Sequence, residues 1–186
     1  DIFITSNLWN NAHRPEDVIP ALKKTLKDLQ LDYLDLYLMH WPVAFKPDVD
    51  GFPENDDEYL SLEEVPLHET LNAMLEAKKQ GLVKHVGVSN FSRQKLESLK
   101  GHVGEMPEMN QVELHPYLPQ KELFEYCALH GILLTAYSPL GSGDRSDGMK
   151  GEHEPSLFEN ETIKNIAQNN DMSEGQVLIT WAKQRG

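Results

Sequence analysis

Five short apolar runs alternate with helix-patterned stretches along this chain, and that order restricts the fold more than any other feature. The runs are "IFITSN" (2–7), "YLDLYLMH" (33–40), "VKHVGVSN" (83–90), "EMNQVEL" (108–114) and "ILLTAYSPL" (132–140). In the second, Leu34, Leu36 and Leu38 fall on alternate positions, the period of an extended strand. The fifth is continuously apolar at its start, as expected of a strand buried on both faces. Between them, "RPEDVIPALKKTLKDLQL" carries Val18, Leu22, Leu26 and Leu29 as one helical stripe, with Pro20 expected to kink or delay the helix. "LHETLNAMLEAKKQG" places Leu67, Leu71, Met74 and Leu75 on one face and stops at Gly81. Ser92 is placed to cap a short helix carrying Leu96 and Leu99, and "LPQKELFEYCALHG" gives a helix ending on Gly131. Two more helices follow in "FENETIKNIAQNN" and "SEGQVLITWAKQRG", the latter opened by a Ser173/Gln176 capping box. Residues 42–65 break the rhythm as a long acidic, proline-containing loop, the kind that is usually functional or disordered. Strand–helix alternation of this kind implies a parallel sheet covered by helices.

A chain of 186 residues is long enough for a single domain with a sizeable core, and 39% apolar with 25% charged residues reads as soluble and globular. No apolar run approaches the roughly 18 residues of a membrane span, and the first residues lack the marks of a signal peptide. The single cysteine, Cys127, excludes an internal disulfide and fits a reducing, cytoplasmic setting. A formal charge of −13 argues against a nucleic-acid backbone as partner.

The ends of the five runs carry the chemistry. They finish in Asn7, His40, Ser89–Asn90, Gln111 and Tyr137–Ser138, so each places a polar or aromatic group at or just beyond its carboxyl end. In a parallel α/β fold those ends share one side of the molecule, where barrel and open-sheet enzymes bind ligands. Taken singly, each has a plainer reading: His40 as a hydrogen-bonded structural residue, Gln111 as a loop tie, Tyr137 as core packing. The repetition at every strand end favours function. The remaining histidines lack ligand spacing such as H-E-x-x-H, so a metal site is not expected. "GSGDRS" is not G-x-G-x-x-G and does not open a helix, which speaks against a Rossmann fingerprint.

With these residues in hand, the chain resembles the aldo-keto reductases of the aldehyde and aldose reductase branch. The resemblance rests on "ITSNLWN", "LDYLDLYLMHWP", "GLVKHVGVSNFS", "NQVELHPYLPQ" and "TAYSPLGSGD", which occur in the family's order along nearly the whole chain. It implies an α/β fold, a partial (β/α)8 TIM barrel with about five of the eight parallel strands present. It also implies reduction of aldehydes and ketones with NADPH, NADH being left open, a small carbonyl substrate, and a monomer when complete. By the same resemblance, His40 is the catalytic histidine that orients the substrate carbonyl. Ser89, Asn90 and Gln111 hold the nicotinamide carboxamide, and Tyr137 is the ring on which the nicotinamide stacks. Ser138, Leu140, Ser142 and Asp144 lie along the cofactor pyrophosphate. Trp9 and Trp41 form pocket walls, and loop 42–65 shapes substrate choice.

Two departures follow from the comparison. The family's catalytic lysine stands in the middle of "ITSKLW", whereas this chain has Asn7 there. A lysine's charge favours the ionised form of the tyrosine acid and brings its pKa closer to working pH; asparagine hydrogen-bonds but carries no charge. The segments that would carry the family's catalytic Tyr and Asp, its eighth strand and its adenosine-phosphate grip have no counterpart here, so the chain reads as a fragment, truncated at both ends. Two functions stay in view: a reductase, or a non-catalytic nicotinamide-binding or regulatory protein on the same scaffold.

Overall fold

The computed structural model describes residues 2–143, 145 and 155–186. Its centre is a five-stranded, all-parallel sheet built from β1 (Thr5–Leu8), β2 (Leu34–Met39), β5 (Val83–Ser89), β6 (Met109–Glu113) and β7 (Leu133–Tyr137), hydrogen-bonded in that order. Each connection returns the chain one place further along the sheet. The returns are made by α1 (Pro15–Leu29), α2 (Leu67–Lys79), α3 (Arg93–Leu99) and α4 (Lys121–Leu129). Five parallel strands laid down in sequence with helices between them are the arc of a β/α barrel, as the alternation implies.

Packing follows the helical stripes. Val18, Leu22 and Leu26 of α1, with Leu71 and Met74 of α2, bury against Tyr37, Met39, Val86 and Val88 of the sheet in one core. Leu96 and Leu99 of α3 and Leu123 and Cys127 of α4 extend that core. The last member of the α1 stripe departs from expectation: Leu29 is 49% exposed, because Gln30 turns the chain away in a left-handed conformation right after it. Pro20 does not delay the helix; α1 runs from Pro15 through it to Leu29. Pro20 lies on the exposed side, so the Glu16 carbonyl it leaves without an N–H is open to water. The Ser92 cap and the Ser173/Gln176 capping box both form.

On the other face of β2 lie Leu36 and Leu38, also buried. Gly87 of β5 pairs with Leu38, and a Cβ there would stand 2.6 Å from Leu38 Cδ2 and 2.7 Å from the Met109 carbonyl oxygen. The backbone oxygen cannot swing aside as a side chain could. Gly87→Val is therefore expected to destabilise the protein by about 3 kcal/mol, at the upper end of overpacking costs, read as a lower urea midpoint at unchanged slope.

Two expectations need correction. The start of β7 is not buried on both faces: Leu133 is 62% exposed and the rest of the strand half-buried, since β7 is an edge of this sheet with a neighbour on one side only. Residues 42–65 are more than a loop. They contain an antiparallel ribbon, β3 (Ala44–Phe45) with β4 (Tyr59–Leu60), and a single 3-10 turn at Asp56–Glu58 closed by an Asn55/Glu58 capping box. Phe45 and Val49 are buried, and Asn11 donates to the Val49 carbonyl at 2.9 Å, which fastens the excursion to the end of β1. The final helices α5 (Glu161–Asn169) and α6 (Glu174–Arg185) build a small second core around Leu157, Ile163 and Leu178, while Trp181 packs back on the main one.

Candidate active site

The carboxyl ends of the sheet strands are joined by hydrogen bonds that run across the sheet. Asn90 sits just past β5 with φ at 63°, a left-handed conformation that asparagine tolerates better than most residues. Its Nδ2 donates to the His40 carbonyl at 2.9 Å and to Ser89 Oγ at 3.2 Å. Its Oδ1 accepts from the Tyr137 hydroxyl at 2.9 Å. The Gln111 carbonyl accepts twice, from the Asn90 N–H at 2.9 Å and from Ser89 Oγ at 2.8 Å. Residues from four strand ends, 40 through 137, are thus tied through one asparagine. Both amide hydrogens of Asn90 are engaged, and one Oδ1 lone pair is left for any ligand. Gln111 takes part through its backbone; its side chain makes none of these bonds.

Asn90→Ala removes three side-chain hydrogen bonds and leaves alanine in a left-handed conformation. The expected loss is about 2 kcal/mol or more, checked by urea unfolding of the variant against the parent protein.

His40 is half-buried, and burial lowers its pKa below the ordinary histidine value, so the imidazole is neutral near pH 7. Its backbone N–H donates to the Leu8 carbonyl at 3.1 Å, which seats the residue against the end of β1. Aromatic rings flank it on two sides: Trp9 edge-on at 5.1 Å and Trp41 stacked at 6.4 Å. Trp9 is held in turn by Phe45 and Phe52, each edge-on, and by donation from its Nε1 to the Gly51 carbonyl at 3.3 Å. The 42–65 excursion therefore forms part of the wall beside His40. Asn7 lies on β1 next to Leu38 in register, with its Oδ1 buried and without a hydrogen-bond partner.

Beyond β7 the chain turns through Ser138 and Ser142, both left-handed, with the Ser142 hydroxyl bonded to the Ser138 hydroxyl. A cavity of about 260 Å³ opens here, lined by Leu140, Gly141, Ser142 and Arg145 on one side and Leu157 and Phe158 on the other. Gly141 has φ at 87°, and a Cβ on it would meet Leu157 Cδ1 at 2.8 Å, so the backbone itself forms the cavity wall. Arg145 brings a positive charge to this rim of an otherwise acidic protein. Asp144 lies outside the described residues.

The expected residues therefore fall into two neighbouring groups, one around His40 and Asn90 and one along 138–142. Several residues at the site have no counterpart in the strand-end pattern. Asn10 and His13, on the turn after β1, are 2% and 1% exposed. Burial, with His40 nearby, lowers the His13 pKa to about 4. The polar run "NNAHR" reads as an exposed turn; only its position directly after a strand-end residue hints at the site. Among the described residues, no group of three or more His, Cys, Asp or Glu is placed to hold a metal ion. No helix among them is long and apolar enough to cross a membrane.

Known proteins are similar to this chain along its whole length. An aldo/keto reductase of Synechocystis sp. is 52% identical over the whole chain, which covers 57% of that protein. Aldo-keto reductase family 1 member A1 of Xenopus tropicalis is 47% identical over 185 residues, and that of Gallus gallus 46%, the chain again covering 56% of each. The chain thus spans little more than half the length of the curated relatives it matches. The profile of the Aldo/keto reductase family matches residues 1–186, and the five-stranded parallel sheet agrees with it: this chain belongs to the aldo/keto reductase family.

Proposed function

We propose that the complete protein reduces small aldehydes and ketones to alcohols with a nicotinamide cofactor, NADPH, as hydride donor, and does so as a cytoplasmic monomer. The observation that carries this reading is the hydrogen-bonded set at the strand ends: His40, Ser89, Asn90, Gln111 and Tyr137 joined beside a cavity walled by backbone and edged by Arg145.

The residues present suit such a cofactor. The Gly141 backbone forms a wall that a Cβ would fill, and Ser142 and Arg145 offer a hydroxyl and a positive charge suited to phosphate oxygens. Ser89 Oγ, the free lone pair on Asn90 Oδ1 and the Gln111 side chain suit a carboxamide. The Tyr137 ring is fixed through its hydroxyl, so a ring stacked on it would present one defined face. When bound, the reduced nicotinamide supplies the hydride; everything else asked of this chain is positioning and electrostatics. Neutral His40 donates a hydrogen bond to the substrate oxygen and orients it. Trp9 and Trp41, which flank His40, and Phe52 against Trp9 offer apolar faces to the carbonyl's substituent. The resemblance places the tyrosine proton donor outside these residues.

A second reading has its own support. Asn7 leaves the catalytic lysine position without charge while the cofactor-facing residues are present, which suits a nicotinamide-binding protein that does not turn over. Following NADPH oxidation with a small aldehyde, in the complete protein and in its Asn7→Lys form, separates the two. Turnover by the protein with Asn7 supports the reductase. Cofactor binding without turnover in the protein with Asn7, whether or not Asn7→Lys turns over, supports the binding protein and overturns the enzyme reading.

A further inference from the structure

Val112 and Leu114 bury in the main core, and Leu134 and Ala136 of β7 pack on that core from the next strand. Successive side chains of a strand point to opposite faces, so Gln111, Glu113, Thr135 and Tyr137 share the other face of the sheet. The register sets Gln111 beside Thr135 and Glu113 beside Tyr137, and on that same face Thr135 Oγ1 donates to Met109 Sδ at 3.0 Å. Glu113 is thus the neighbour of Gln111 along β6 and of Tyr137 across to β7. Among the described strand ends of the sheet it is the one acidic side chain on this face.

Its carboxylate is held in place. The Leu118 N–H donates to His115 Nδ1 at 3.2 Å, so that nitrogen presents a lone pair and the ring proton sits on Nε2. Nε2–H donates in turn to Glu113 Oε1 at 3.0 Å. Gln120 Nε2 fixes the backbone by donating to the Glu113 carbonyl at 3.0 Å. An imidazole in these roles is neutral, which leaves the Glu113 charge uncancelled, and among the described residues Oε2 has no hydrogen-bond partner. His115 is buried and the Glu113 side chain is 27% exposed, so water screens this charge only in part. The charge reaches the neighbouring ring: burial first, and Glu113 next, raise the Tyr137 hydroxyl above the usual tyrosine pKa, with Arg145 opposing.

We propose that Glu113 is the counter-charge of the nicotinamide site, favouring the oxidised cofactor over the reduced one and so favouring hydride donation. The proposal rests on the reading given above, in which a nicotinamide ring stacks on Tyr137 with its carboxamide at Gln111. In hydride donation a hydrogen with its electron pair goes to the carbonyl carbon, and the tyrosine proton donor gives its proton to the carbonyl oxygen. The nicotinamide ring, neutral when reduced, is left with one positive charge. A fixed carboxylate beside the ring stabilises that charge and has none to act on in the reduced form. His115 is a positioning residue that holds the carboxylate there.

The test titrates the complete protein with NADPH and with NADP+, following tryptophan fluorescence, for the parent, Glu113→Gln and Glu113→Asp. Glu113→Gln keeps an oxygen that can accept from His115 and removes only the charge. It should weaken NADP+ binding about tenfold while leaving the Kd for NADPH unchanged, the size expected of a unit charge at a half-buried site. Glu113→Asp, which keeps the charge, should keep the parent's ratio of the two constants. An unchanged ratio in Glu113→Gln, including a loss shared equally by both forms, overturns the proposal and leaves Glu113 a structural tie for the turn after β6. A parent protein that binds neither form refutes the nicotinamide reading and the proposal with it, an outcome distinct from binding with an unchanged ratio.

Discussion

Asn7→Lys in the complete protein is expected to raise kcat with a small aldehyde about 10²-fold, with NADPH affinity unchanged. The effect is electrostatic. As the substrate oxygen takes up negative charge, a fixed cation nearby stabilises it and lowers the pKa of the group that protonates it. Asparagine offers only a neutral dipole at this position. His40 and His13 are both held neutral by burial, so an ammonium would meet no competing positive charge from them, although the same burial would lower its own pKa. Stopped-flow turnover of the two forms at matched cofactor saturation measures the difference. An unchanged or lower kcat with intact binding would show that this site works without the charge.

The second large effect is loss of stability in acid through His13. Its folded pKa of about 4 lies below the ordinary 6.5, so the sign follows from which state takes up the proton first. Above about pH 6.5 the ring is neutral in both states and contributes nothing to the pH dependence. As the pH falls, the unfolded chain protonates His13 while the folded protein refuses the proton until about pH 4, so the stability of the fold drops across that window. The full drop is roughly 3 kcal/mol, most of it complete by about pH 4.5. Carboxylates titrate in part of the same range, so the measurement is a difference. Urea midpoints of the parent and His13→Gln, compared at about pH 7 and pH 4.5, should show the variant losing some 2 kcal/mol less. Equal losses in the two proteins would place the acid sensitivity elsewhere.

How much of this was legible beforehand depended on the range of the interaction. Strands and helices with their own periodicity, such as 34–39 and 67–79, could be read directly, because alternation and stripes are local. The strand-end residues could be read as a group since every parallel strand must deliver its end to the same side. What escaped depends on neighbours distant in sequence. The Asn90 amide is engaged by residues 47 and 50 positions away. Leu133 is exposed because of what flanks β7, and nothing in "ILLTAY" records that. The two-residue strands of the 42–65 ribbon are too short to carry a period. His13 was hidden by its polar neighbours, since a run such as "NNAHR" ordinarily stays in water.

Tryptophan fluorescence tests the central proposal most directly, because Trp9 and Trp41 both flank His40. Titrating the complete protein with NADPH should give saturable quenching, and Tyr137→Ser, which removes the stacking ring and its bond to Asn90, should weaken binding about tenfold or more. A titration without saturation, or a Tyr137→Ser protein that binds as tightly as its parent, would contradict the assignment of these strand ends to a nicotinamide cofactor.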